Sequence, residues 1–168
     1  MSRKSSIRKI KRDNSESKNI ERALSLHLYE KRHSPISTHF TGSGLAECDV
    51  ISVSKSDYIY EYEVKISKSD FKADFKKKKH SHMNERKSVN ESKNHYYIPN
   101  YFYFVTTENL VSLEEIPEYA GLIYLMSGTD GVFKTIKKAP LLHKTKASSA
   151  FIRELSHKLT CKLVFNKM

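Results

Sequence analysis

Residues 46–80 read AECDVISVSKSDYIYEYEVKISKSDFKADFKKKKH. Two β-rich runs flank a polar turn, Lys55-Ser56-Asp57. The first run carries Glu47 and Asp49; the second carries Glu61, Glu63 and Lys65. Side chains of a strand alternate between faces, so these odd-numbered residues fall on one face of each strand. A three-residue loop flanked by Ser54 and Tyr58 pairs Val53 with Ile59, Ile51 with Glu61 and Asp49 with Glu63. A two-residue turn shifts that register by one. In the first register Glu47 opposes Lys65 as a cross-strand ion pair.

Like charges directly opposite each other destabilise a hairpin, and its strands lie only about 4.8 Å apart. Two carboxylates so placed call for a cation between them, or for one of them to hold a proton. A hard divalent ion such as Mg²⁺ uses one or two carboxylates together with phosphate oxygens. Lys65 lies about 6.8 Å beyond Glu63 along the same face. An ammonium there can orient a water or stabilise charge growing on a phosphoryl oxygen.

Asp49 followed by Glu63-Val64-Lys65 resembles the D…(D/E)-x-K motif of the PD-(D/E)XK nuclease superfamily, which has the restriction-endonuclease-like fold. Cys48 stands where the family's name has a proline. Residues 65–74, KISKSDFKAD, are similar to the MmcB-like DNA-repair branch found in bacteria and phages. The resemblance covers residues 19–137. It implies an α/β domain with a three-layer αβββαβ core and a mixed central sheet, with a C-terminal hairpin and helix added. It also implies Mg²⁺ or Mn²⁺ held by Asp49 and Glu63, with the Val64 carbonyl as a further ligand, and Lys65 positioning the attacking water. In the superfamily a Glu on the first helix often helps to hold water at the metal, and Glu21 is the best-placed candidate. The other reading of Glu21 is an acid favoured near a helix N-terminus by the macrodipole.

The rest of the chain supplies the frame. A net charge of +11 over 168 residues points to a polyanionic partner. No long apolar run and no signal-peptide pattern are present, so the expected protein is intracellular, cytoplasmic and not membrane-bound. Cys48 and Cys161 lack metal-site or disulfide-framework spacing, and Cys48 should point away from the Asp49 face as a core filler. Residues 1–18 read as a basic arm without structure, with Arg8, Lys9, Lys11 and Arg12 available to phosphates. Residues 19–168 read as one domain.

Asn19 is the expected cap of a helix over residues 19–31, whose buried stripe is Ile20, Ala23, Leu24 and Leu28. Residues 35–45 read as a strand ending in a Gly-Ser-Gly turn, with His39 a structural histidine. Ser67 and Asp70 fit a capping pattern that opens a helix after Lys65. Along that helix Lys68, Lys72, Lys76 and Lys79 form a stripe for nucleic-acid phosphates; the alternative is a solvated face. Residues 84–100 read as a polar loop ending in Tyr96 and Tyr97, which either pack or stack on bases. Residues 101–107 read as an interior strand, 116–126 as a turn and strand, 132–136 as its hairpin partner and 148–165 as a closing helix.

The sequence therefore predicts metal-dependent hydrolysis of DNA phosphodiesters, in repair, recombination or phage DNA processing. The rivals are a non-catalytic DNA-binding module on the same fold, an RNA-acting nuclease, and a scaffold for repair proteins. Cutting both strands of a duplex often needs two sites, which a homodimer supplies.

Overall fold

The structure is a computed structural model of the chain and describes residues 2–42, 44–85, 98–128 and 131–165, with side chains from residue 16 onward. The first helix, α1, runs Ser2–Glu30. It therefore starts well before Asn19, which sits inside the helix and caps nothing. Residues 2–18, expected as an arm without structure, continue the same helix. Residues 2–30 contain no proline or glycine, and the straight-chain Lys, Arg and Glu among them are good helix formers. The side chains of Arg8, Lys9, Lys11 and Arg12 lie outside the described residues, as do Tyr96 and Tyr97.

The strands that follow are β1 Ile36–Gly42, β2 Leu45–Val53 and β3 Ile59–Lys65. Helices α2 Lys68–Asp74 and α3 Lys78–Asn84 come next. Strands β4 Tyr101–Thr107, β5 Ala120–Leu125 and β6 Phe133–Lys137 precede the closing helix α4 Ser149–Val164. All six strands form one sheet in chain order. The β3–β4 and β4–β5 pairs are parallel and the others antiparallel. The chain is thus an α/β protein with a mixed six-stranded sheet. No helix among the described residues is long and apolar enough to cross a membrane.

The β2–β3 turn has the three-residue form. Ser54 N–H donates to the Tyr58 carbonyl at 2.9 Å, Asp57 N–H donates to the Ser54 carbonyl at 2.9 Å, and Asp57 takes φ 63°. A residue in the left-handed region at the third loop position is the usual way such a loop closes. It sets the expected register: Val53 opposes Ile59 and Ile51 opposes Glu61. Parallel pairing then extends each face across the sheet, as Glu61 lies beside Phe102 and Glu63 beside Phe104.

Each face has its own cover. On one, Ile20, Leu24 and Leu28 of α1 pack against Val50, Tyr62, Val64, Val105 and Ile123. On the other, Phe71 of α2 and Met83 of α3 pack against Phe102, Phe104 and Leu122. That face continues to β1, where Phe151 and Leu155 of α4 meet Phe40, Cys48, Ile51 and Val53. Cys48 is a core residue as expected, but it packs on the face of Ile51 and Val53 rather than on the opposite one, with its Sγ 3.6 Å from the Phe40 carbonyl.

The basic helix expected after Lys65 is two short helices. Ser67 caps the first, accepting from the Asp70 N–H at 3.1 Å. The chain then turns at residues 75–77, where Lys77 N–H donates to the Asp74 carbonyl at 2.9 Å. This break redirects the later lysines of the run toward β3.

Leu24 is fully buried between α1 and the sheet. Replacing it with Ala should cost about 2–5 kcal/mol through lost burial and the cavity left behind. Urea unfolding followed by circular dichroism measures this; a loss below about 1 kcal/mol means that α1 is not part of the core.

Candidate functional site

The β2–β3 ladder ends at Val50 opposite Tyr62, one rung short of the expected Asp49–Glu63 pair. Beyond that rung Asp49 turns its carboxylate into the gap, and Oδ2 accepts the Val64 N–H at 2.8 Å. Strand alternation also breaks here. Val50 packs on the α1 face, yet Cys48, two residues earlier, packs with Phe40 on the α4 face. Opposite this break His39 takes φ 45°, a left-handed conformation rare for a residue with a side chain. Asp49 thereby leaves the face that carries Glu61, Glu63 and Lys65.

Asp49 instead joins Glu21 of α1 and His39 of β1, with one ligand atom of each lying within 4.8 Å of the others. His39 Nε2 lies 3.0 Å from Glu21 Oε2, and Ser17 donates to Glu21 Oε1 at 2.9 Å. Glu21 is nearly fully buried although it sits mid-helix, so an N-terminal dipole does not account for it. Burial pushes the Asp49 carboxyl up to about 7, and the neighbouring Glu63 adds to this; Lys65 and the Val64 N–H pull the other way.

Glu63 lies among ammonium groups. Its Oε2 is 2.7 Å from Lys65 Nζ and 3.1 Å from Lys77 Nζ, and its Oε1 contacts Lys79 Nζ. Lys65 also reaches Asp74 Oδ1 at 2.9 Å and lies 4.0 Å from Asp49 Oδ2. Lys79 bonds Glu61 Oε1 at 2.7 Å and sits over the Phe102 ring, 5.5 Å from its centre. Burial raises the Glu63 carboxyl, but the Lys79 and Lys65 charges outweigh it and hold the group below its ordinary range. For Glu61 burial wins, and its carboxyl rises despite Lys79. Burial alone would lower the Lys65 and Lys79 ammoniums; the carboxylates around them raise both above the usual lysine range.

Asp74 anchors the far side. Its Oδ1 contacts both Lys65 and Lys77 at ion-pair distance, without good hydrogen-bond angles. Its Oδ2 accepts from His80 Nε2 at 2.7 Å, and His80 Nδ1 lies 2.8 Å from the Tyr119 hydroxyl. Burial raises the Asp74 carboxyl, but the His80 hydrogen bond and the lysine contacts hold it far below the usual carboxylate range.

The residues singled out from sequence thus divide. Asp49, Glu63 and Lys65 converge at the open end of the β2–β3 pair, and Glu21 meets Asp49 from α1. Val64 presents its N–H to Asp49. Lys79 is buried on Glu61 and Glu63, so it is not part of an exposed phosphate stripe. Lys72 and Lys76 are exposed, and Lys68 pairs with Glu115 at 3.4 Å. The expected Glu47–Lys65 pair is absent among the described contacts; Glu47 is exposed, and only its carbonyl takes part, accepting from Lys79 at 3.3 Å. Lys65 is therefore not the sole counter-ion of Glu63. Sequence reasoning missed His39, Asp74, Lys77, His80 and Tyr119. For Lys77 the signal was a KKKK run too dense to be a single helical stripe; the others carried none. A cleft of about 280 Å³ opens beside this cluster, between Gly44, Ala46 and Glu47 on one wall and Lys77, Lys78 and Lys79 on the other.

No protein-family model and no curated protein matches the chain. Among solved structures it is similar to a protein of unknown function from Silicibacter pomeroyi. The likeness covers 86% of this chain and 84% of that one, at 18% identity and a TM-score of 0.57. It is a likeness of fold.

Two outcomes follow from the buried charges. Lys79→Met should destabilise the fold by about 3–5 kcal/mol, because Glu61 and Glu63 lose a buried partner; chemical unfolding that shifts by less than about 1 kcal/mol contradicts this. Asp74 has a folded pKa below its unfolded one, so its contribution is present in full above about pH 4 and is lost as the pH falls from there toward the folded value. Melting curves of Asp74→Asn should therefore show a flatter acid limb than wild type; an unchanged limb assigns acid unfolding to other groups.

Proposed function

We propose that this protein is a metal-dependent nuclease that hydrolyses DNA phosphodiester bonds. The observation that carries the reading is the setting of Lys65. Its buried ammonium is fixed between Glu63 at 2.7 Å and Asp74 at 2.9 Å, and it stands 4.0 Å from Asp49 at the mouth of the β2–β3 fork. The element order α1, β1–β3, α2, α3, β4 is compatible with an αβββαβ core of the restriction-endonuclease-like kind if the two short helices α2 and α3 together take the place of its second helix.

The donor set suits a divalent cation. Asp49, Glu21 and His39 bring three ligand atoms together, and Glu63 offers a carboxylate whose ammonium neighbours a metal ion would have to displace in part. Asp49 and Glu63 would hold Mg²⁺ or Mn²⁺, with Glu21 and His39 beside Asp49 and the Val64 carbonyl as a further donor. Such an ion supplies charge that neutralises the phosphate and favours deprotonation of an attacking water. The chain's own groups do the rest. Lys65 orients the water and faces charge growing on the phosphoryl oxygens. Asp74 holds Lys65 in place. Exposed Lys72 and Lys76 contact the backbone of the nucleic acid, with Lys68 at their edge. A homodimer would present two sites for cutting both strands.

One observation favours a second reading, a DNA-binding module that does not cut. Glu63 already has three ammonium neighbours and requires no metal for neutrality.

Cleavage separates the two. Purified protein should nick or degrade at least one of supercoiled, linear, single-stranded or branched DNA with Mg²⁺ or Mn²⁺. Asp49→Asn and Lys65→Ala should each lower the rate by roughly 100-fold or more while DNA binding persists. Wild type inactive on every substrate supports the binding module. Wild type active, with Asp49→Asn equally fast, places the chemistry elsewhere.

A further inference from the structure

Four contacts, two at Glu63 and two at Asp74, close a ring. Lys65 Nζ meets Glu63 Oε2 at 2.7 Å and Asp74 Oδ1 at 2.9 Å; Lys77 Nζ meets the same two oxygens at 3.1 and 2.6 Å. Charges alternate around it. Three corners are enclosed, with side-chain exposures of 5% for Lys65, 0% for Glu63 and 1% for Asp74. Lys77 is 44% exposed. It stands just before α3, on the wall of the cleft.

The two lysines are therefore not equivalent. Lys65 projects from a central strand and is almost fully enclosed. Lys77 can swing outward by side-chain rotation. Its departure strands no carboxylate: Glu63 keeps Lys65 and Lys79, and Asp74 keeps Lys65 and His80. Glu61, Glu63 and Asp74 balance Lys65, Lys77 and Lys79 in charge, so a further cation at Glu63 repels the ammoniums already there. The least enclosed one yields first.

We propose that Lys77 is the exchangeable corner of this ring. A divalent cation and the Lys77 ammonium compete for Glu63, and the displaced ammonium becomes a contact to a nucleic-acid phosphate in the adjoining cleft. This rests on the nuclease reading above and adds to it a residue that couples cation binding to substrate binding. A ligand that must displace an internal competitor binds more weakly than the bare site allows. An ammonium freed toward a phosphate adds one counter-ion released on binding.

The test uses the full chain as wild type, Lys77→Gln and Lys77→Arg. Titration calorimetry with MnCl₂ and no nucleic acid should show roughly three- to tenfold tighter binding for Lys77→Gln. With Mn²⁺ present and a phosphorothioate-backbone single-stranded oligonucleotide, which keeps its charge and resists cutting, affinity is followed against salt. The log–log slope should fall by about 0.7 in Lys77→Gln, and Lys77→Arg should restore it. A purely structural Lys77 gives the opposite signature: a lower melting temperature, weaker Mn²⁺ binding and no change in slope. Mn²⁺ affinity that does not rise, or a slope that does not fall, overturns the proposal; if wild type still binds Mn²⁺ and cuts DNA, the nuclease reading stands without it. Wild type that neither binds Mn²⁺ nor cuts overturns both.

Discussion

Strand β3 carries Glu61 and Glu63, and helix α2 carries Asp74, into the layer between the sheet and α2–α3, and each must find positive charge there. An isolated ionised carboxylate in such a setting is costly, and so is a lone ammonium. The structure meets this constraint by turning the chain after α2, so that Lys77 and Lys79 reach back to β3 and join Lys65. His80 and Tyr119 satisfy the remaining side of Asp74. The short helices and the break between them follow from this requirement. One uninterrupted helix would distribute the same lysines around its circumference.

A second constraint acts at the other edge of the fork. Two strands paired through their full length would set Asp49 on the same face as Glu63. Instead the ladder stops at Val50, His39 adopts a left-handed backbone, and Asp49 fills the vacated rung by accepting the Val64 N–H. Strain of this kind persists where surrounding packing over-determines it, and it gathers at sites of function. Here it separates two acidic groups. Asp49 looks toward Glu21 and His39, and Glu63 looks toward the lysines. Lys65 is the side chain that spans both.

Much of the architecture was legible in the sequence because it depends on local rules. The polar turn located the β2–β3 hairpin, and the αL backbone of Asp57 in the structure then chose the three-residue register over the two-residue one. Alternation assigned Glu61, Glu63 and Lys65 to one face. The spacing of Ile20, Leu24 and Leu28 gave the buried side of α1, and Ser67 gave the start of α2. Several local readings did not hold, among them the Asp49–Glu63 rung and the Glu47–Lys65 pair, which the end of the ladder at Val50 and Tyr62 leaves unformed. Asn19 resembles a helix cap, but helix continues through it because residues 2–18 contain nothing that stops one. The lysine run resembles a helical stripe, but burial of its later members rewards ion pairing over solvation.

What the sequence by itself determined is therefore the α/β order of elements, the shared face of Glu61, Glu63 and Lys65, and two candidate hairpin registers, of which the structure has the one set by a three-residue loop. These depend on periodicities of two and 3.6 residues and on turn chemistry, all of which act between near neighbours. Only the tertiary structure decided which groups neutralise these charges. Asp74, Lys77, Lys79, His80 and Tyr119 come from α2, the turn after it, α3 and the approach to β5, and Glu21 and His39 come from α1 and β1. No pattern in the chain encodes those pairings. They arise because buried charge in a low-dielectric layer selects whichever opposite charge the packed helices bring within reach.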